Sequence, residues 1–188
     1  DALHLRGVAL YHQGKYADAK TALELALRQA PESTATLLWL GLTNYASGNL
    51  EIASQHLQRF VRAVPAATDI KALLAYVEAR RGSQAEAKEV LASLRGAQFT
   101  DLQSLTALGQ AFMLVGDVEA SAKYFSAVVE QAPGSAAQRV NLASSLIRGG
   151  KDELALTELQ KAIDLDPESK QAEQMLVLTL LKQKKIED

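Results

Sequence analysis

The sequence contains no cysteine and only 4 prolines, and aromatic residues make up 5% of its 188 positions. Without cysteine the chain forms neither disulfides nor zinc-finger sites, and it carries no thiol nucleophile. Its 20 basic residues are balanced by 22 acidic ones, so it lacks the positive surface on which electrostatic binding of nucleic acid depends. No apolar run approaches the roughly 18 residues that a membrane span requires. Hydrophobic residues nevertheless make up 48% of the chain, which is enough for a folded core.

A period of 34 residues runs through the sequence. Glycine recurs at this interval at five positions: Gly14, Gly48, Gly82, Gly116 and Gly150. All four prolines share a second position of the same register: Pro31, Pro65, Pro133 and Pro167. Further series of small and of large apolar residues keep this register without insertions or deletions. A fixed period of this length is typical of repeat proteins.

Within one period the residues predict two antiparallel helices. Leu3, Gly7 and Leu10 lie on one face of a first helix, and Gly14 suits the left-handed conformation that ends a helix. Ala19 begins the apolar face of a second helix. The small residues Gly7 and Ala19 predict that the two helices cross closely there. One such hairpin cannot bury its whole apolar face, so neighbouring hairpins must stack.

The repeat resembles the tetratricopeptide repeat (TPR) family, in which W-x2-L-G-x2-Y, A-x3-F and P recur over 34 residues. The fourth repeat carries this pattern at Leu105, Leu108, Gly109, Phe112, Ser121, Phe125 and Pro133. The resemblance implies an all-α fold, a right-handed α-solenoid of stacked antiparallel helix pairs with about eleven helices. We expect a single array over 1–188 that is part of a longer protein. Its repeats would span about 1–33, 34–67, 68–101, 102–135 and 136–169, followed by a lone helix at 170–185.

The third repeat departs from the pattern. It has Ala75 and Phe99 at the usual glycine and proline positions, and it contains Arg95-Gly96 instead. We therefore expect its second helix to end early, near Leu94, and Thr100 or Asp101 to cap the next helix.

The sequence offers no constellation suited to catalysis. Of the three histidines, His4 and His12 lie about 12 Å apart along one predicted helix, too far to share a metal ion. His56 is isolated, and no phosphate-binding or nucleophile motif is present. We expect the Asp and Glu residues to occupy solvent-facing positions. The sequence thus predicts a protein that is not an enzyme, without catalytic, cofactor-binding or metal-binding residues.

The resemblance also implies a binding surface, because the first helix of each TPR hairpin lines a concave groove. The positions this assigns to a partner-binding groove are His4, Val8, Tyr11, His12, Leu38, Trp39, Leu42, Tyr45, Tyr76, Arg80 and Gln110. Aromatic side chains there would be anchor points for a peptide or a partner helix. Alternatively, Trp39 and Leu42 fill space between adjacent hairpins. Met113, on the fourth repeat, is predicted to pack.

One TPR binding mode is not expected. Co-chaperones of the family grip acidic peptide tails with a carboxylate clamp of basic and Asn side chains. The corresponding positions here are His4, Val8, Trp39, Asp69 and Leu73, and none of them is Lys, Arg or Asn.

The segments 5–16 and 40–49 resemble a narrower group, the TPR lipoproteins of bacterial PEP-CTERM/exosortase systems, which accompany exopolysaccharide gene clusters. This implies a scaffold in the bacterial cell envelope, on the periplasmic side and with a lipoprotein parent; the cytoplasm is the alternative. The expected partner is a protein or peptide. Two other functions stay open: a regulatory or substrate-docking arm of a larger enzyme such as a glycosyltransferase, and a self-associating array that pairs through its terminal helix.

Overall fold

The computed structural model describes residues 2–187, with side chains through 183. Every regular element in this part of the chain is a helix, which confirms the all-α prediction. The eleven helices are α1 Ala2–His12, α2 Tyr16–Gln29, α3 Thr34–Ala46, α4 Leu50–Ala63, α5 Thr68–Arg81, α6 Gln84–Ser93, α7 Leu102–Leu114, α8 Val118–Gln131, α9 Ala136–Arg148, α10 Asp152–Leu165 and α11 Lys170–Glu187.

The chain forms two compact units. Unit 1 comprises Asp1–Gln98 and contains α1 to α6; unit 2 comprises Phe99–Asp188 and contains α7 to α11. Within each unit, every helix packs against the next one along the chain. Each unit is therefore a stack of helical hairpins.

The glycines of the 34-residue series end the first helix of each hairpin. All five have a positive φ, between 71° and 86°, where a side chain would strain the backbone. Glycines of a second series let the paired helices cross closely. A Cβ on Gly7 would lie 2.5 Å from Leu23 Cγ, and one on Gly41 would lie 2.6 Å from Leu57 Cδ2. The predicted close crossing is confirmed.

The third repeat has the predicted irregularity. Its second helix, α6, ends at Ser93, with Leu94 at the C-cap. The next helix is capped by Asp101, whose Oδ1 accepts a hydrogen bond of 2.7 Å from the backbone N–H of Ser104. Of the two predicted caps, Asp101 is the one used.

One acidic residue contradicts the expectation that all of them face solvent. Glu78 of α5 is 0% exposed. Its carboxylate accepts hydrogen bonds from Arg81 Nη1 at 2.6 Å, from Gln58 Nε2 at 2.9 Å and from the hydroxyl of Ser54. Arg81 continues the network to the exposed Glu51. A carboxylate can be buried here because donors from α4 and α5 replace its water. We call these five residues the charged junction.

Unit 2 has a polar contact of the same kind between α8 and α9, but without charge. The hydroxyl of Ser121 donates to the carbonyl oxygen of Gly109 at 2.7 Å and lies 2.8 Å from the hydroxyl of Ser145. Both serines are buried. We call this pair the neutral junction.

Candidate functional site

The first helices of unit 1 bring the predicted aromatic residues together. The ring of Trp39, on α3, lies 5.2 Å from the ring of Tyr11 and 5.3 Å from that of His12, both on α1. Tyr11 also lies 5.5 Å from Tyr16, at the start of α2. These centroid distances are those of favourable edge-to-face pairs. The rings thus connect α1 to α3.

A second group of rings connects α3 to α5. Tyr45 and Tyr76 have centroids 6.2 Å apart, in an edge-to-face arrangement. The guanidinium carbon of Arg80 lies 5.7 Å from the Tyr76 ring centroid, within the range of a cation–π contact. We use the name aromatic stripe for Tyr11, His12, Trp39, Tyr45 and Tyr76.

The tyrosines of the stripe are only partly hydrated. Tyr11, Trp39, Tyr45 and Tyr76 are half-buried, whereas His12 is exposed. Burial raises the pKa of the Tyr11 hydroxyl, and the neighbouring Tyr16 raises it further. Burial also raises the pKa of Tyr45, as do Tyr76 and Tyr11, while Arg80 opposes them. Both hydroxyls are therefore protonated near neutral pH and can donate hydrogen bonds to a ligand.

The stripe ends at a positive charge. Arg80 is exposed, and it forms no ion pair with any side chain that the structure describes. Its neighbour Arg81, by contrast, is held in the charged junction. Arg80 thus offers hydrogen-bond donors next to a half-buried aromatic surface.

The other predicted groove residues have mixed roles. His4 Nδ1 lies 3.0 Å from Thr36 Oγ1, so His4 takes part in stacking α1 on α3. Leu38 and Tyr45 pack against the core of unit 1. Val8 and Leu42 are half-buried.

Gln110 is on α7 of unit 2 and is also half-buried, away from the residues of the stripe in the chain. Met113 packs against the core of unit 2, as predicted. The use of any of these positions by a partner stays a prediction.

Sequence reasoning missed Tyr16 because it considered only the first helices of each hairpin. Tyr16 is the first residue of α2, a second helix. Its position directly after the Gly14 turn could have indicated this contact, because the first residue of a helix lies close to the end of the helix before it. Tyr16 extends the aromatic surface at the α1 end.

The described residues offer neither a metal site nor a membrane-spanning helix. No group of three or more His, Asp or Glu side chains there is placed to hold a metal ion. Among these same residues, no helix combines the length and apolarity that crossing a membrane requires.

Comparisons with known proteins identify the repeat. Two family models, each described as tetratricopeptide repeat, match residues 10–77 and 106–170. Together they cover more than two thirds of the chain. The chain belongs to the TPR family. A curated TPR relative, "TPR repeat-containing protein MJ1428" of Methanocaldococcus jannaschii, is 26% identical over 133 residues, which are 70% of this chain and 23% of that protein. The chain therefore corresponds to less than a quarter of that relative.

Solved TPR structures share the fold at low sequence identity. MamA AMB-1 has a TM-score of 0.74 at 20% identity, covering 88% of this chain and 98% of its own. YrrB, described as a TPR protein with an unusual peptide-binding site, has a TM-score of 0.72 at 20% identity, with coverages of 90% and 88%. TTC0263, a thermophilic TPR protein of Thermus thermophilus, has a TM-score of 0.64 at 21% identity, with coverages of 96% and 98%.

Proposed function

We propose that this TPR chain is a protein-interaction scaffold and that the aromatic stripe of unit 1 binds a peptide or a helix of a partner protein. The observation that carries the proposal is the set of ring contacts that joins Tyr11 to Trp39 and Tyr45 to Tyr76 across three first helices. A surface formed by three helices is wide enough for several side chains of a ligand. YrrB, whose fold is similar, is described as having a peptide-binding site, and this supports the proposal by analogy.

Most rings of the stripe are half-buried. The rings are already ordered by their mutual contacts, so they would lose little side-chain entropy when a ligand binds. Half-buried rings still have apolar surface to cover, and the protonated tyrosine hydroxyls can bond backbone carbonyls of a peptide. Aromatic residues in such positions commonly dominate the binding energy of an interface.

The test is a selection of random phage-displayed peptides on the 188-residue chain, followed by fluorescence polarisation with the selected peptides. We expect Trp39→Ala and Tyr76→Ala each to weaken binding by about 2 kcal/mol or more. Tyr124→Ala is the matched control, because Tyr124 stacks on Phe112 in unit 2, outside the stripe. Equal affinity of the wild-type chain and both stripe variants, with unchanged circular dichroism, would contradict the proposal.

We also propose a cellular setting for the scaffold, which does not depend on where it binds its ligand. The resemblance of segments 5–16 and 40–49 favours a bacterial envelope scaffold of the PEP-CTERM or exopolysaccharide type, and the alternative is a docking arm of an enzyme such as a glycosyltransferase. The full-length sequence separates them: a lipidated N-terminal cysteine supports the first, and a catalytic domain in the same chain supports the second.

Self-association through the terminal helix is favoured by one observation. Val177, Leu178 and Leu181 of α11 are 52%, 66% and 53% exposed. Burial of these side chains against a second copy would remove apolar surface from water. Light scattering over a concentration series tests this: we expect a dimer that Leu178→Lys converts to a monomer, and a monomer at all concentrations would contradict it.

A further inference from the structure

A depression of about 470 Å³, largely open to solvent, lies on the surface of unit 1 between α2 and α4, and we refer to it as the cavity. Its accessible apolar lining comes from Leu27 of α2 and Pro31, while Leu40 of α3 lies fully buried beneath them. The charged or polar side chains around it are Glu24, Arg28, His56 and Arg59. The volume falls within the range of small-molecule sites. None of these residues belongs to the aromatic stripe, so the cavity is separate from the surface proposed above.

The charges around the cavity leave a positive excess. Arg59 Nη2 donates a hydrogen bond of 2.9 Å to the carbonyl oxygen of Pro31, which fixes the guanidinium at the end of α2 without neutralising it. Arg28 is exposed and forms no ion pair with the described side chains. The single acid, Glu24, is already 3.8 Å from Lys20 Nζ. The cavity thus has two guanidinium groups without a carboxylate partner among the described residues.

His56 also lines the cavity, and its protonation depends on the charges nearby. Its Nδ1 is buried and has no hydrogen-bond partner in the described structure. Burial lowers the pKa of His56, and Arg59 and Lys20 lower it further, while Glu24 opposes them. The ring is therefore neutral near pH 7. An anion that entered the cavity would offset the effect of the arginines on His56.

We propose that this cavity binds a small organic anion, a carboxylate or phosphate attached to an aromatic or aliphatic body. The guanidinium groups of Arg28 and Arg59 hold the anionic oxygens, since their donor geometry matches both groups. Leu27 and Pro31 contact the apolar body. A bare inorganic anion would gain the charge contacts alone, so the apolar lining selects an organic one.

The test uses the 188-residue chain and three probes: phenyl phosphate, phenylacetate and inorganic phosphate. Affinities are measured by calorimetry, and the three histidines are titrated by NMR with each probe present and absent. We expect an organic anion to raise the pKa of His56, while His4 and His12 serve as internal references in the same spectra. Inorganic phosphate should bind at least about tenfold more weakly, because it lacks the apolar contact.

Variants assign the contact to residues. Arg28→Gln, at an exposed position, and Arg59→Gln should each weaken binding of the organic anion about tenfold or more, the typical effect of losing a charge-assisted hydrogen bond. Arg62→Gln is the matched control, since Arg62 is an exposed arginine of α4 that does not line the cavity.

Three outcomes overturn the proposal. The first is the absence of any His56 response to both organic probes at millimolar concentration. The second is equal binding of inorganic phosphate and phenyl phosphate. The third is unchanged affinity in a folded Arg28→Gln variant. Binding of phenylacetate, of phenyl phosphate or of both supports it and states which anionic group is preferred. Peptide binding at the stripe is measured separately, so failure here leaves the proposed function unaffected.

Discussion

The two units have polar contacts at matching places, but the chemistry of these contacts differs. In unit 1 the pair Ser54 and Glu78 joins α4 to α5, and in unit 2 the pair Ser121 and Ser145 joins α8 to α9; each pair is separated by 24 residues. Both thus join the second helix of one repeat to the first helix of the next. The comparison shows that the same stacking position accepts a buried charge or two hydroxyls, provided that each buried oxygen has partners.

The largest effect is expected from breaking the charged junction. Arg81→Met removes the cation beside Glu78 and leaves a buried carboxylate with neutral donors only, which should cost about 2–4 kcal/mol of stability. Amide hydrogen exchange in α4 and α5 measures this locally. Glu51→Gln is the control, because the Glu51 side chain is 66% exposed and its loss should cost no more than about 0.5 kcal/mol. Equal exchange rates in the two variants would show that the charge at this junction is irrelevant.

The helix crossings give a second comparison between the units. Gly41→Ala places a Cβ 2.6 Å from Leu57 Cδ2 in unit 1, whereas Gly109→Ala places one 3.0 Å from the Phe125 ring in unit 2. We expect the first change to cost about 1–2 kcal/mol net, because overpacking of roughly 2–3 kcal/mol exceeds the gain in helix propensity of about 1 kcal/mol. The second should be nearly neutral, because the better helix propensity of alanine, about 1 kcal/mol, offsets the milder clash. Urea unfolding of both variants measures the two stability losses. A larger loss for Gly109→Ala than for Gly41→Ala would contradict the expectation.

A smaller effect is expected at the neutral junction. Ser121→Ala removes the bond to the Gly109 carbonyl and the oxygen that accepts from Ser145, whose hydroxyl can then donate to the Asn141 carbonyl, 3.2 Å away. The expected loss is about 1 kcal/mol, the usual net value of a neutral hydrogen bond. Hydrogen exchange in α8 and α9 is the measurement. A loss as large as that of Arg81→Met would remove the distinction between the two junctions.

The units should also differ in their response to acid. In unit 1 the pKa of His56 is lowered by burial and by Arg59, so the unfolded chain takes up a proton first. This part of the stability is complete above about pH 6.5 and decreases as the pH falls below it. His56→Gln should make the stability of unit 1 less dependent on pH. Amide hydrogen exchange of unit 1 between about pH 7 and 5 measures this. If the pH dependence of stability is unchanged in the variant, it arises from another titratable group.

In unit 2 the relevant group is Glu158. Burial alone would raise its pKa, but hydrogen bonds from Lys161 at 2.7 Å and Arg139 at 2.6 Å outweigh burial and lower it. Its contribution is present above the ordinary glutamate pKa of about 4.3 and is lost as the pH falls through the lower folded value. The contribution of Glu158 should therefore persist to a lower pH than that of His56. Glu158→Gln should reduce the acid loss of unit 2, measured as hydrogen exchange in α9 and α10 below about pH 4.3.

The repeat period predicted most of the fold because helix ends and helix crossings are local. Gly14 and its equivalents end helices through their own φ angles, and Gly7 sets a crossing through the side chain it faces. The shortened α6 and the Asp101 cap were predicted on the same local grounds. The aromatic residues of the stripe were identified through the family pattern, which gives their face of the helix.

The charged junction could not be predicted because its partners are distant in sequence. Glu78 is buried only because residues 20 and 24 positions earlier, Gln58 and Ser54, supply donors to its carboxylate. A single acidic residue on a helix face gives no sign of such donors. The cavity beside His56 escaped prediction for the same reason, since its lining comes from three helices.

The single tryptophan of the chain, Trp39, lies within the aromatic stripe, 5.3 Å from His12. Indole emission excited at its red edge therefore comes from one place in the molecule, without any label. A ligand that covers the stripe should shift the emission to shorter wavelength, so the fluorescence of Trp39 reports whether a ligand is bound.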